Sequence, residues 1–188
     1  MREDDEPDEG LKRLLDARDA GDTDLLLESL RSDPAYAHVS ARLLANAGER
    51  RAVPLLAELL DSGRGSARLA AVRALAQLGP PAGARPRLVA IALDDELPSA
   101  REWACVALGR YGDVEAAQLL ISLLTDRKRA VRLGAARGLV EVGDPDLIEP
   151  ILAARRRRLR HPIDWFLSRD AYREIVLAFE RGERRRLS

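Results

Sequence analysis

Aromatic residues are scarce in this chain: two Trp, three Tyr and two Phe make up 4% of 188 residues, although 46% of the sequence is hydrophobic. A core of this composition has to be filled by Leu, Ala and Val. That suits closely spaced helices, because Leu and Ala are strong helix formers and Ala lets backbones approach. The single cysteine, Cys105, excludes an intramolecular disulfide and any Cys-x-x-Cys cluster. No uninterrupted apolar run of about 18 residues is present, which argues against a transmembrane segment. The first fifteen residues, MREDDEPDEGLKRLL, are acidic and polar where a secretory signal is basic and then apolar. The expected location is the cytoplasm.

The groups that chemistry needs are equally sparse. His38 and His161 stand far apart and lack a partner at metal-ligand spacing. The stretch SGRGS at 62–66 lacks the Gly-Lys-Ser/Thr ending of a phosphate-binding loop. Paired acids occur as surface runs such as Asp94-Asp95-Glu96, and Cys105 falls at a repeat position matched by Val72 and Ala136, that of a small buried hydrophobe. The expectation is a protein that is not an enzyme and uses no cofactor or metal.

What is abundant is internal repetition. The segments SARLLANAG, AVRALAQLG, ACVALGRYG and AARGLVEVG end in Gly48, Gly79, Gly112 and Gly143, spaced by 31, 33 and 31 residues. Each is preceded by an apolar helix, as in AVPLLAELLD (52–61) or VEAAQLLISLLTD (114–126), and a short polar turn. The second helix of each unit opens at Ala67, Ala100 or Val131 and runs to the glycine, which can adopt the left-handed conformation of a helix terminus. Pro54, Pro86 and Pro150 fall near the first turns of the opening helices, where a missing N–H costs little. Asp22 or Thr23 is expected to cap the first full unit. Two helices cannot bury both apolar faces alone, so the units must stack.

The run Val131, Arg132, Ala135, Ala136, Leu139, Gly143 and Asp144 is repeated in weaker form as Arg68, Ala71, Leu75 and Gly79, and as Arg101, Ala104, Leu108, Gly112 and Asp113. It resembles the HEAT-like repeats of phycobilisome lyase-related proteins and of many bacterial scaffold proteins, over roughly residues 22–154. The resemblance implies an all-α fold, a right-handed α-solenoid of antiparallel helix pairs (HEAT-like or armadillo-like), with about eleven helices. The expected domains are an acidic N-terminus at 1–9, a solenoid at 10–154, and an Arg-rich linker with a capping helix at 155–188.

Stacked second helices form columns of side chains. Arg68, Arg101 and Arg132 each follow an Asp by six or seven residues and are read as clips back to the preceding helix end. Arg42, Arg73 and Arg137 form a second column, interrupted by Val106 and without a regular acidic companion; Asn46, Gln77, Arg110 and Glu141 form a third. In families of this type the second helices usually line the concave face. The resulting candidate partner-binding residues are Arg42, Arg73, Arg137, Arg110, Trp103, Gln77 and Glu141. Trp103 either fills space between units or acts as an anchor for a partner.

The expected partner is another protein carrying an acidic or extended segment, with the chain serving as scaffold or adaptor. Nucleic acid is the second candidate, and its signature would be salt-dependent binding without sequence preference. Against it, Lys+Arg and Asp+Glu both number 31. The charge is polarised: residues 2–9 hold six acids and one Arg, whereas 155–188 hold eleven Arg and five acids. That pattern also allows weak self-association between copies. The stripe Tyr172, Ile175, Val176 and Phe179 reads either as a cap on the last repeat or as an amphipathic segment for a partner or an anionic membrane.

Overall fold

The computed structural model describes residues 8–62, 64–144, 146 and 177. Among them nine α-helices and three short 3-10 segments account for the regular structure, without strands. The chain divides into two compact units, Met1–Pro81 and Ala82–Ser188. The tenth and eleventh expected helices, at 145–154 and around 168–182, fall outside the described residues apart from Asp146 and Leu177, as do residues 1–7 of the expected acidic N-terminus.

The first unit holds α1 (Glu9–Ala20), α2 (Thr23–Ser32), α3 (Ala37–Asn46), α4 (Val53–Glu58) and α5 (Gly65–Leu78). Asp22 caps α2 by accepting from the Leu25 N–H at 3.0 Å, so the earlier of the two expected caps is the one used. The helix expected at 52–61 is an α-helix only over Val53–Glu58, flanked by 3-10 turns at Arg50–Ala52 and Leu59–Asp61. The second helices α3 and α5 lie side by side and in parallel. Arg64 Nη1 donates to the Pro34 carbonyl at 2.9 Å near their starts, and Gln77 Nε2 donates to the Ala45 carbonyl at 3.0 Å near their ends.

The second unit holds α6 (Arg85–Asp94), α7 (Pro98–Gly109), α8 (Val114–Leu123) and α9 (Arg129–Val142). α6 packs on α7, α8 on α9, and α7 on α9. The second helices α5, α7 and α9 open two residues earlier than expected. Residues such as Gly65, Pro98 and Arg129 look like turn by polarity but are tolerated in a first turn, where the N–H groups have no intrahelical partner.

The repeat glycines close their helices with positive φ, from 67° at Gly112 to 95° at Gly79. Among the described residues the largest fully buried side chains are nine Leu and Val72, each contributing about 1.5–3 kcal/mol by leaving water. The only polar residues buried among those described are Arg132 and Ser40; the Ser40 hydroxyl donates to Ser29 Oγ at 3.0 Å. No described helix is long and apolar enough to cross a membrane.

Candidate functional site

The first Arg column is structural, as its spacing predicts. Arg68 Nη1 donates to the Ser62 carbonyl at 2.7 Å, and Arg132 Nη1 donates to the carbonyls of Asp126 at 2.9 Å and Arg127 at 3.2 Å. Arg101 makes the same clip and adds a second contact. It donates to the Ala92 carbonyl at 3.2 Å, and its guanidinium also pairs with the carboxylate of Asp126, in the next repeat. One Asp therefore ties two hairpins: its side chain to Arg101, its carbonyl to Arg132.

The second and third columns differ between the two units, and counting back from each closing glycine shows why. Two residues before it stand Asn46 and Gln77 in the first unit, Arg110 and Glu141 in the second. Six before it stand Arg42 and Arg73, against Val106 and Arg137. Ten before it, on the earlier helix of each pair, stand His38 and Glu102.

In the second unit these residues neutralise one another. Arg110 Nη1 lies 3.1 Å from Glu141 Oε2, and Arg137 Nη1 lies 2.9 Å from Glu102 Oε1. The expectation that the Arg42/Arg73/Arg137 column lacks an acidic companion is thus corrected at Arg137. Its acid sits one helix turn off register on the neighbouring second helix, where a search within one hairpin does not look. Trp103, beside Glu102, is half-buried.

In the first unit the same position is His38, and among the described residues no acid lines the space between α3 and α5. That space is a groove of about 340 Å³, with Arg42, Arg73, His38, Asn46 and Gln77 providing polar groups and Val39, Leu69 and Ala70 apolar surface. Arg42 is exposed and, among the described residues, makes no hydrogen bond or ion pair. As groove residues His38, Ser66 and Leu69 were not singled out from the sequence; the 35-residue offset at which Glu102 meets Arg137, evident only once the helices are packed, also separates His38 from Arg73.

Backbone spacing accompanies the charge difference. The second unit has Gly109, Gly134 and Gly138 at the positions of Ala45, Ala70 and Ala74. A Cβ at Gly109 would stand 2.1 Å from the Gly138 carbonyl oxygen, and one at Gly138 would stand 2.4 Å from that of Cys105. α7 and α9 therefore meet backbone to backbone, whereas Ala45, Ala70 and Ala74 all line the groove of the first unit. Cys105, completely buried under this contact, has its thiol pushed up to about 12 by burial, which keeps it protonated and unreactive.

A family profile described as HEAT repeats matches residues 23–104 and 85–162, and the chain belongs to that family. It is similar to a chain in the solved complex of CpcE and CpcF of phycocyanin lyase from Nostoc sp. PCC7120, with 26% identity and a TM-score of 0.59 over 85% of this chain and 98% of that one. A designed armadillo repeat protein solved in complex with the peptide (KR)4 shares the fold, with 17% identity and a TM-score of 0.59 over 89% of this chain and 86% of that one. An engineered protein does so with 20% identity and a TM-score of 0.57, over 84% and 79%. No curated protein matches the chain. The all-helical repeat architecture of HEAT and armadillo solenoids is thereby established; function has to come from the site.

Proposed function

We propose that this HEAT-repeat protein is a scaffold or adaptor that holds an acidic, extended segment of a partner protein. The α3/α5 groove is the principal contact, with Arg42, Arg73 and Gln77 binding and His38 and Asn46 at the rim. The observation that carries this reading is the groove's charge: basic and amide side chains over an apolar floor, with no carboxylate among the described residues that line it. A guanidinium such as that of Arg42 matches a carboxylate with two parallel hydrogen bonds. Helices preassembled by repeat packing keep the ordering cost of binding low.

The remaining candidates, Arg110, Arg137, Glu141 and Trp103, form a second, nearly neutral surface on the other unit. There the ion pairs must open before a charged partner can use them, so Trp103 is the stronger contact. This division disfavours nucleic acid, which rewards many unneutralised cations along a backbone. The role is binding without catalysis, and the cytoplasm is the compartment that fits a chain with one sealed thiol.

The test is fluorescence anisotropy with the full chain, titrated into a labelled acidic peptide carrying interspersed Leu and, separately, into a labelled DNA duplex. The expected result is peptide binding that weakens at least about tenfold, or 1.4 kcal/mol, in Arg42→Glu/Arg73→Glu, with no comparable DNA binding. Salt-dependent DNA binding with no peptide binding would replace the adaptor with a nucleic-acid-binding protein.

A further inference from the structure

The residues lining the α3/α5 groove fall into levels. The closing glycines Gly48 and Gly79 are 31 residues apart. The two hydrogen bonds that fix the packing keep nearly that offset, 30 for Arg64 on Pro34 near the helix starts and 32 for Gln77 on Ala45 near their ends. His38 and Leu69 therefore share one level, Arg42 and Arg73 the next, and Asn46 and Gln77 the third, and all of them line the groove. Successive levels are four residues apart, about 6 Å along the helix axis.

The middle level carries the charge. It sets two guanidiniums across packed helices whose axes lie about 8–10 Å apart, close enough for both side chains to reach one group on the midline. Arg42 and Arg73 are exposed, and no carboxylate stands among the described residues that line the groove. The second unit builds the same level with Val106 and Arg137, and there a single carboxylate, Glu102, lies 2.9 Å from the single guanidinium. Two guanidiniums on one level fit a group of about twice that charge with a further acceptor oxygen. A phosphoserine or phosphothreonine is such a group, with about −1.5 to −2 charges at pH 7 and three strong acceptor oxygens. Each planar guanidinium then engages those oxygens through charge-assisted hydrogen bonds.

The flanking levels specify the neighbours of that residue. In an extended peptide, alternate side chains are about 6.4–6.8 Å apart, close to the spacing of the levels. With the phosphoryl group at the middle level, the residue two positions away on one side meets Leu69, backed by Val39 and Ala70. The residue two positions away on the other side meets the amides of Asn46 and Gln77.

We infer that the α3/α5 groove recognises a phosphorylated serine or threonine in an extended segment of a partner protein. The phosphoryl group is held between Arg42 and Arg73, and an apolar side chain two residues away packs on Leu69. This inference rests on the proposed groove function and names the acid that the groove selects.

The experiment titrates the full chain into labelled peptides that are identical except for a central phosphoserine, Asp or Ser, with Leu two residues to either side, and follows anisotropy. The expected result is that the phosphoserine peptide binds at least about tenfold more tightly than the Asp peptide, or 1.4 kcal/mol. Arg42→Gln and Arg73→Gln, each checked for unchanged helicity and melting temperature, should each remove most of that preference. Moving both Leu to the positions adjoining the phosphoserine should weaken binding severalfold. Equal affinity of the wild type for the phosphoserine and Asp peptides overturns the phosphoryl assignment while leaving the acidic-segment groove standing. A preference that persists in both Arg variants overturns the middle level as its source, and unchanged binding after the Leu shift overturns the apolar contact. Displacement of the phosphoserine peptide by an equimolar amount of inorganic phosphate makes the ligand a free phosphate and overturns the protein segment. No binding of any of these peptides, nor of the Leu-containing acidic peptide, overturns the groove function as well.

Discussion

The helix pairs α3/α5 and α7/α9 occupy equivalent repeat positions and do different things with them. In α7/α9, glycines let the backbones touch and two Arg–Glu pairs cancel the surface charge. In α3/α5, alanines at the same positions line a groove whose charged side chains are basic. One repeat template therefore yields a closed, neutral seam and an open, basic one through a few substitutions: Gly for Ala on the facing side, Glu for His ten residues before the closing glycine.

The largest expected effect comes from closing the difference in backbone spacing. Gly138→Ala should raise helix propensity by about 1 kcal/mol, but its Cβ would stand 2.4 Å from a backbone oxygen that cannot rotate away. Overpacking then dominates, for a net loss of about 2 kcal/mol in urea unfolding. Partial opening of the seam should also make Cys105 labelable by a thiol reagent under native conditions, where the wild type is protected. The reverse change, Ala74→Gly, should follow propensity and cost about 1 kcal/mol with Cys105 still protected. If Gly138→Ala stabilises the protein, the backbone contact is not the basis of the contrast.

Next in size is the charge swap. His38→Glu places an acid opposite Arg73 as Glu102 stands opposite Arg137, and should weaken acidic-peptide binding by about tenfold, or 1.4 kcal/mol. Glu102→His should leave peptide binding at the α3/α5 groove unchanged and lower stability by less than about 1 kcal/mol, since Arg137 is 44% exposed and the pair is partly solvated.

The smallest effect is the acid response of the first unit. Glu49 accepts from Arg51 Nη2 at 2.9 Å and from the Arg51 N–H at 3.0 Å, and these hydrogen bonds hold its carboxyl down at about 2. A carboxylate depressed below its ordinary value of 4.5 contributes stability above that value and loses it as pH falls toward about 2. Melting temperature should therefore decline across that window, and the decline should be shallower in Glu49→Gln. Parallel curves would mean that the Glu49–Arg51 contact contributes nothing to folding.

Much of the fold was legible because its signals are local. A helix that ends in Gly48, Gly79, Gly112 or Gly143 needs a positive φ at that residue, and repetition of the demand reveals the period. The Arg68 and Arg132 clips were legible for the same reason, because donor and acceptor lie within one hairpin. The Arg101–Asp126 and Arg137–Glu102 pairs were not, because their partners are 25 and 35 residues apart and meet only after repeats stack. Of the candidate groove, Arg42, Arg73 and Gln77 could be proposed from columns alone, while His38 and the apolar floor required the α3/α5 packing.

The sequence by itself determined the all-helical repeat, its closing glycines and its Leu–Ala core, since backbone conformation and hydrophobic periodicity act within a turn or two. Only the tertiary structure decided which second helices touch and which stay apart. A methyl group at a helix crossing matters through what stands across from it, and a charge is neutral or available according to a neighbour one repeat away.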